Sequence, residues 1–108
     1  MRTYIVLDLE WNQSPVGKEG AAEAIPFEII EIGAVKLDEK LEYMSKFHEF
    51  ISPVVYNDIH HRIYELVHID INYLRDKGKK FLTVIDKFKQ WCYMDGQEPM
   101  FCTWGSMD

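Results

Sequence analysis

Thr3-Tyr-Ile-Val-Leu-Asp8-Leu-Glu10-Trp11-Asn12 is the stretch on which the reading of this chain turns. Tyr4 to Leu7 is an unbroken apolar run rich in β-formers, and such a run reads as a strand buried on both faces in the middle of a sheet. Two carboxylates follow, at Asp8 and Glu10. Strand side chains alternate faces, so residues two apart point the same way. Asp8 and Glu10 therefore project side by side, about 7 Å apart at the backbone. Two adjacent anions on a central strand repel each other and lose hydration, and a hard divalent cation between them would relieve both costs. Taken alone, the Asp-x-Glu spacing fits equally a strand that has ended, with both acids solvated in a loop.

Size and composition narrow the choices. A chain of 108 residues is one small domain at most. A hydrophobic content of 47% with 14% aromatics argues for a packed core rather than disorder. No stretch approaches the ~20 apolar residues of a membrane span, so no membrane partner is expected. Met1-Arg2 leads straight into the strand, without the three-part pattern of a secretory signal. Cys92 and Cys102 lie in apolar company without metal-ligand spacing, as buried free thiols of a reducing cytoplasm would. The net charge of −6 leaves no global basic surface to attract nucleic acid. Contact with nucleic acid would have to be local, and carried partly by bound metal.

Along the chain, Gln13 to Pro26 reads as a loop, marked by Pro15, Gly17 and Gly20 and holding Ala21-Ala22-Glu23-Ala24. It leaves the carboxylate end of the first strand and could rim a site. Phe27 to Leu37 is the second strand, with Ile30, Ile32, Ala34 and Lys36 on one face and Glu31 on the other; Glu31 is expected to cap or pair with nearby backbone. Gly33 in mid-strand suggests a bulge or a close backbone approach. After the polar turn Asp38-Glu39-Lys40, Leu41 to Ile51 is the third strand and closes an antiparallel hairpin. Phe47 and Phe50 cannot share a face there, which calls for a bulge or two-sided burial. Asn57-Asp58 can cap a helix with Ile59, Ile63, Leu66 and Val67 at helical spacing. His60 and His61 diverge by about 100° on that helix, so they read as a solvated face rather than a chelating pair. Asp76-Lys77-Gly78-Lys79-Lys80 is a polar break. A second helix carries the stripe Phe81, Val84, Ile85, Phe88, Trp91 and Cys92, and stops near Asp95-Gly96. Met100 to Trp104 is a short fourth strand, and Gly105 to Asp108 follows.

Four of these segments, in this order, resemble the DEDD (DnaQ-like) superfamily of 3′–5′ exonucleases, which have a ribonuclease H-like fold. Tyr4-Ile-Val-Leu-Asp-Leu-Glu10 resembles the first exonuclease motif. Ile29-Ile-Glu-Ile-Gly-Ala-Val35 resembles the family's second strand, and Phe47-His-Glu-Phe-Ile-Ser-Pro53 the end of its third. Phe101-Cys-Thr-Trp-Gly-Ser-Met-Asp108 resembles the second motif, in a form similar to that of histone-mRNA-trimming exoribonucleases of the DEDDh type. The fold implied is α/β: a mixed sheet flanked by helices, as a single domain over residues 1–108 that is incomplete after the fourth strand.

The resemblance implies a metal-dependent 3′–5′ exonuclease acting on RNA or DNA, with a single-stranded 3′ end as partner. In-line hydrolysis with two cations ~3.5–4 Å apart explains the acids. By resemblance Asp8 bridges both ions, Mg²⁺ or Mn²⁺, Glu10 ligates the nucleophile-side ion, and Asp108 holds the other through water. Backbone around Leu9, Trp11 and Asn12 would contact the 3′ nucleotide. The family's third motif, with a His or Tyr and a fourth acid, lies downstream of the second. His60, His61 and His68 come too early to fill that role, so residues 1–108 alone are expected to bind metal weakly and turn over little. The fourth strand would then be an exposed edge, and edges favour pairing, which predicts a homodimer. Two other readings stand beside the enzyme: a catalytically silent module of the same fold that binds nucleic acid or protein, and a plain α+β domain whose acids are incidental.

Overall fold

A computed structural model describes residues 2–14 and 27–103. The expectations for residues 15–26 of the Gln13 to Pro26 loop and for Trp104 to Asp108 lie outside the described residues. The elements run β1 (Arg2–Gln13), β2 (Phe27–Leu37), β3 (Tyr43–Phe50), α1 (His61–Val67), α2 (Ile71–Lys77), α3 (Phe81–Tyr93) and β4 (Glu98–Cys102). The sheet order is β3-β2-β1-β4. β1 is antiparallel to β2, β2 is antiparallel to β3, and β4 runs parallel to β1. The helices supply the long crossover that a parallel neighbour requires.

Alternation decides which face is covered. Thr3 and Ile5 on β1 and Ile30, Ile32, Ala34 and Lys36 on β2 are buried. Against them lies the stripe of α3: Cys92 joins Ile5 and Ala34, with Phe88 and Trp91 packed alongside, and Val84 joins Ile32 and Ile51. Each such side chain contributes about 1.5–3 kcal/mol through burial. A third cluster of Ile30, Ile59 and Leu74 holds the segment around α1 and α2.

The other face of β1 is not buried as expected. Val6 is 46% exposed, and Asp8 is exposed. A continuous apolar run predicts cover on both faces, but Val6 and Asp8 alternate outward, away from α3. β1 also runs on to Gln13, passing a register shift between Glu10 and Trp11. Gly33 sits in unbroken register; a Cβ there would meet the Asp8 carbonyl oxygen at 3.7 Å, an ordinary contact. β3 starts at Tyr43, because Leu41 occupies the turn at φ 64°. Two-sided burial is the outcome for its aromatics: Phe47 packs on Phe88 and Trp91, whereas Phe50 meets Tyr73 edge-on.

The helical region departs most from expectation. α1 begins at His61 rather than after Asn57-Asp58, its cap is His60, and Leu66 is 74% exposed. α2 is an additional helix, capped by the Asp70 side chain. The polar break is not a simple solvated turn. Lys79 bridges to Ile51 in parallel fashion, with hydrogen bonds from Lys79 N to the Phe50 carbonyl and from Ser52 N to the Lys79 carbonyl. Gly78 makes this approach feasible: a Cβ there would lie 2.3 Å from the Leu74 carbonyl oxygen and 2.5 Å from Ser52 N. Cys92 is a buried free thiol as expected, but Cys102 is only half-buried.

Candidate functional site

β1 delivers the two acids as alternation demands. Asp8 stands opposite Gly33 and Glu10 opposite Glu31, on the face away from α3. Gly33 in turn faces His48 on β3. A shallow hollow of about 380 Å³ runs across this face, bounded by Val6, Asp8, Gly33, Val35, Lys46 and His48. A second hollow, of about 330 Å³, opens between β1 and β4 beside Val6, Asp8, Cys102 and Thr103. Asp8 thus sits where both hollows meet, with Thr103 on the wall of the second.

The exposure of Asp8 alters the electrostatic argument. The expected cost of two desolvated anions does not arise at Asp8, which keeps contact with water. What remains is crowding. Residues directly opposite on antiparallel strands have Cβ atoms about 4.5–5.5 Å apart, so Glu10 and Glu31 are neighbouring acids. Glu31 is engaged by His48, whose Nε2 lies 2.5 Å from its Oε2. The expected backbone pairing of Glu31 is therefore replaced by a side-chain partner. Asp8 and Glu10 offer hard oxygen donors on one face, a set that suits one hydrated Mg²⁺, since that ion keeps most of its waters. Among the described residues no group of three or more His, Cys, Asp or Glu is close enough to hold a metal. Asp108, the third expected ligand, lies outside them.

The residues after the acids are fixed from below. Leu9 packs on the Ile32–Ile51–Val84 cluster. Asn12 is fully buried and clamps the entry to α1: its Nδ2 donates to the Asp58 carbonyl at 3.0 Å, and its Oδ1 accepts from His60 N at 3.0 Å. The Asn12 side chain is thus committed to the fold. His60 is buried, not solvated, and its Nδ1 accepts from Arg62 N at 3.2 Å. Burial, then the neighbouring His61 and Arg62, hold its pKa below the ordinary imidazole value. Trp11 is half-buried, and its indole Nε1 is enclosed without a hydrogen-bond partner.

A family model for the RNase T exonuclease domain matches residues 5–108. The chain belongs to the RNase T exonuclease family. Its sheet of four strands with three helices is the ribonuclease H-like exonuclease fold. The nuclease domain of 3′hExo, a DEDDh family member bound to rAMP, superposes with a TM-score of 0.77 at 22% identity, covering 98% of this chain and 53% of that one. Cell-death related nuclease 4 gives 0.76 at 21%, covering 98% and 36%. E. coli exonuclease I in complex with an oligonucleotide gives 0.72 at 11%, covering 97% and 21%. This RNase T-family chain spans about half or less of the length of those solved chains. No curated protein matches it at the sequence level. Among the described residues no helix is long and apolar enough to cross a membrane.

Two features of this exonuclease domain had little sequence signal. The Glu31–His48 pair joins positions 17 apart that alternation alone leaves as separate surface residues. Lys36 occupies a core-facing position and is fully buried, bonded to Asp95 Oδ2 at 2.6 Å and to the Trp91 carbonyl, with its ammonium 4.5 Å from the Trp91 ring centroid. Its partners lie more than fifty residues downstream.

Proposed function

We propose that this chain carries the metal-binding half of a 3′–5′ exonuclease that hydrolyses phosphodiester bonds of RNA or DNA from a single-stranded 3′ end. The observation that supports the reading is the display of Asp8 and Glu10 on one face of β1, with Asp8 at the junction of the two hollows. Asp8 and Glu10, with Asp108, would hold Mg²⁺ or Mn²⁺. When bound, the two ions supply a hydroxide nucleophile and stabilise the leaving oxygen. Asp8 would be the ligand common to both ions, Glu10 would ligate on the nucleophile side, and Asp108 would act through water. Backbone groups at Leu9, Trp11 and Asn12 orient the terminal nucleotide, their positions held by the Asn12 clamp and by Leu9 in the core.

The exposure of Asp8 favours one competing reading. An exposed acid costs little to keep, so its presence is also compatible with a silent module that binds nucleic acid or protein. A gel assay separates the two. A 5′-labelled single strand, RNA or DNA, should shorten stepwise with Mg²⁺, and a 3′-phosphate block should stop it. Asp8→Asn should lower the rate at least 100-fold. Residues 1–108 alone are expected to turn over slowly, so the assay runs to long incubation at high protein concentration. Binding without shortening under those conditions would favour the silent module. A second copy paired across β4, where Met100 and Phe101 are 42% and 46% exposed, is the proposed protein partner; a sedimenting monomer at high concentration would remove it.

A further inference from the structure

The wider hollow beside Asp8 has a glycine for its floor. In the cross-strand row Asp8–Gly33–His48 the outer residues carry side chains and the middle one does not. A Cβ at Gly33 would lie 3.7 Å from the Asp8 carbonyl oxygen and 4.0 Å from His48 Cδ2, so bare backbone spans the gap between them. Two strand spacings, about 10 Å, separate the ends of the row. One wall of this trough is acidic, at Asp8, and the other, on β3, carries Lys46 and His48. The far wall keeps one open charge. His48 is taken up by Glu31. Lys46 is exposed and has no ion-pair partner among the described residues. Lys79, by contrast, is answered by Glu49 at 2.8 Å. From Lys46 the same face of β3 continues at two-residue steps through His48 to Phe50, and then to Tyr73 on α2. The His48 ring meets Phe50 edge-on with centroids 4.9 Å apart, and Phe50 meets Tyr73 in the same way at 5.4 Å. His48 and Tyr73 remain 49% and 44% exposed. An open cation followed by a row of rings is what a single nucleic-acid strand requires: a charge for its phosphate and flat faces for its bases.

We propose that this trough carries the substrate strand away from the acids, with a phosphate upstream of the terminal nucleotide on Lys46 and the adjoining base against His48. The inference rests on the nuclease reading above and adds a contact on β3 outside the proposed metal ligands. It also fits a chain whose net charge is −6, because the attraction is local and needs no basic surface elsewhere.

The test reads binding without cleavage, with Ca²⁺ in place of Mg²⁺. The ¹⁵N-labelled protein is titrated with a hexanucleotide, as RNA and as DNA, and with uridine 5′-monophosphate, at several salt concentrations. The monophosphate is too short to span the trough, so the hexanucleotide should bind at least about tenfold tighter. Lys46→Gln, a change at an exposed position, should weaken the hexanucleotide about tenfold and leave the monophosphate unchanged. It should also flatten the dependence of log affinity on log salt by about 0.7, the share of one phosphate contact on a single strand. Lys46→Arg should restore both. An unaltered affinity or salt slope in Lys46→Gln, or a loss that Lys46→Arg does not restore, overturns the proposal. A wild-type chain that binds the monophosphate yet holds the hexanucleotide no tighter keeps its nuclease reading and loses this path. One that binds neither loses both.

Discussion

Lys36 and Asp95 would not suffer equally from being separated. The Lys36 side chain is fully enclosed, whereas that of Asp95 is 29% exposed. Asp95→Ala leaves an ammonium with no access to water and only a carbonyl and a ring for company. Breaking a buried pair in this way costs about 3–5 kcal/mol, and the partial exposure of Asp95 places the expected loss at the low end. Lys36→Met instead frees a carboxylate that can hydrate, and should cost under about 1.5 kcal/mol. Urea midpoints of the two variants give the comparison; equal losses would mean that the charge pair is not what holds α3 to β2. Lys36 itself was legible only as a residue on the Ile30–Ala34 face. No local pattern announces a partner that arrives 59 positions later. Gly78 is a second residue whose role depends on distant backbone. Its φ of −74° is open to any residue, so conformational freedom is not the reason for glycine. The reason is space. Gly78→Ala should cost about 1–3 kcal/mol by forcing α2 away from Ile51 and Ser52, measured as a lower thermal midpoint.

At the scale of elements, the helix starts are tied to named side chains. His60 caps α1 in its neutral form, with a folded-state pKa below 6.5. A depressed pKa means that the folded state binds the proton less readily than the unfolded one. The contribution of His60 is therefore complete above pH 6.5 and is lost as pH falls through the folded value. His60→Asn retains a capping oxygen and should flatten that part of the stability–pH curve, as followed by circular dichroism from pH 7.5 to 5. An unchanged slope would assign the titration to another group. β2 was legible at both ends because Phe27 and Leu37 sit against turn signals. The α3 stripe was legible because Val84, Phe88, Trp91 and Cys92 recur at helical spacing. α2 was not, since seven residues give barely two turns of periodicity and its Asp70 cap follows a histidine in the left-handed conformation. His60 was misread because an imidazole lies outside the common capping set, and its burial depends on Asn12.

For the whole molecule, the two acids were legible from alternation alone, but their surroundings were not. Whether the second face of a strand is covered depends on the complete chain, and β1 presents Asp8 to solvent. A cation bound by Asp8 and Glu10 only in the folded state should raise stability by about 1.4 kcal/mol at ten times its dissociation constant. Calorimetry with and without Mg²⁺ should show that gain, and Asp8→Asn should abolish it. The sheet order carries one more consequence. β1 pairs with β2, and β2 with β3, within the first fifty residues of chain, but the parallel partner of β1, β4, comes only at Glu98–Cys102. During synthesis the antiparallel meander is out of the ribosome while β4 is still untranslated, and long-range pairing is slow to form. Among the described seams, the one between β1 and β4 beside Val6 and Asp8 is thus the last to be laid down. A nascent chain stalled before β4 would hold its meander and lack one wall of the acidic site, which couples the completion of that site to the end of translation of this segment.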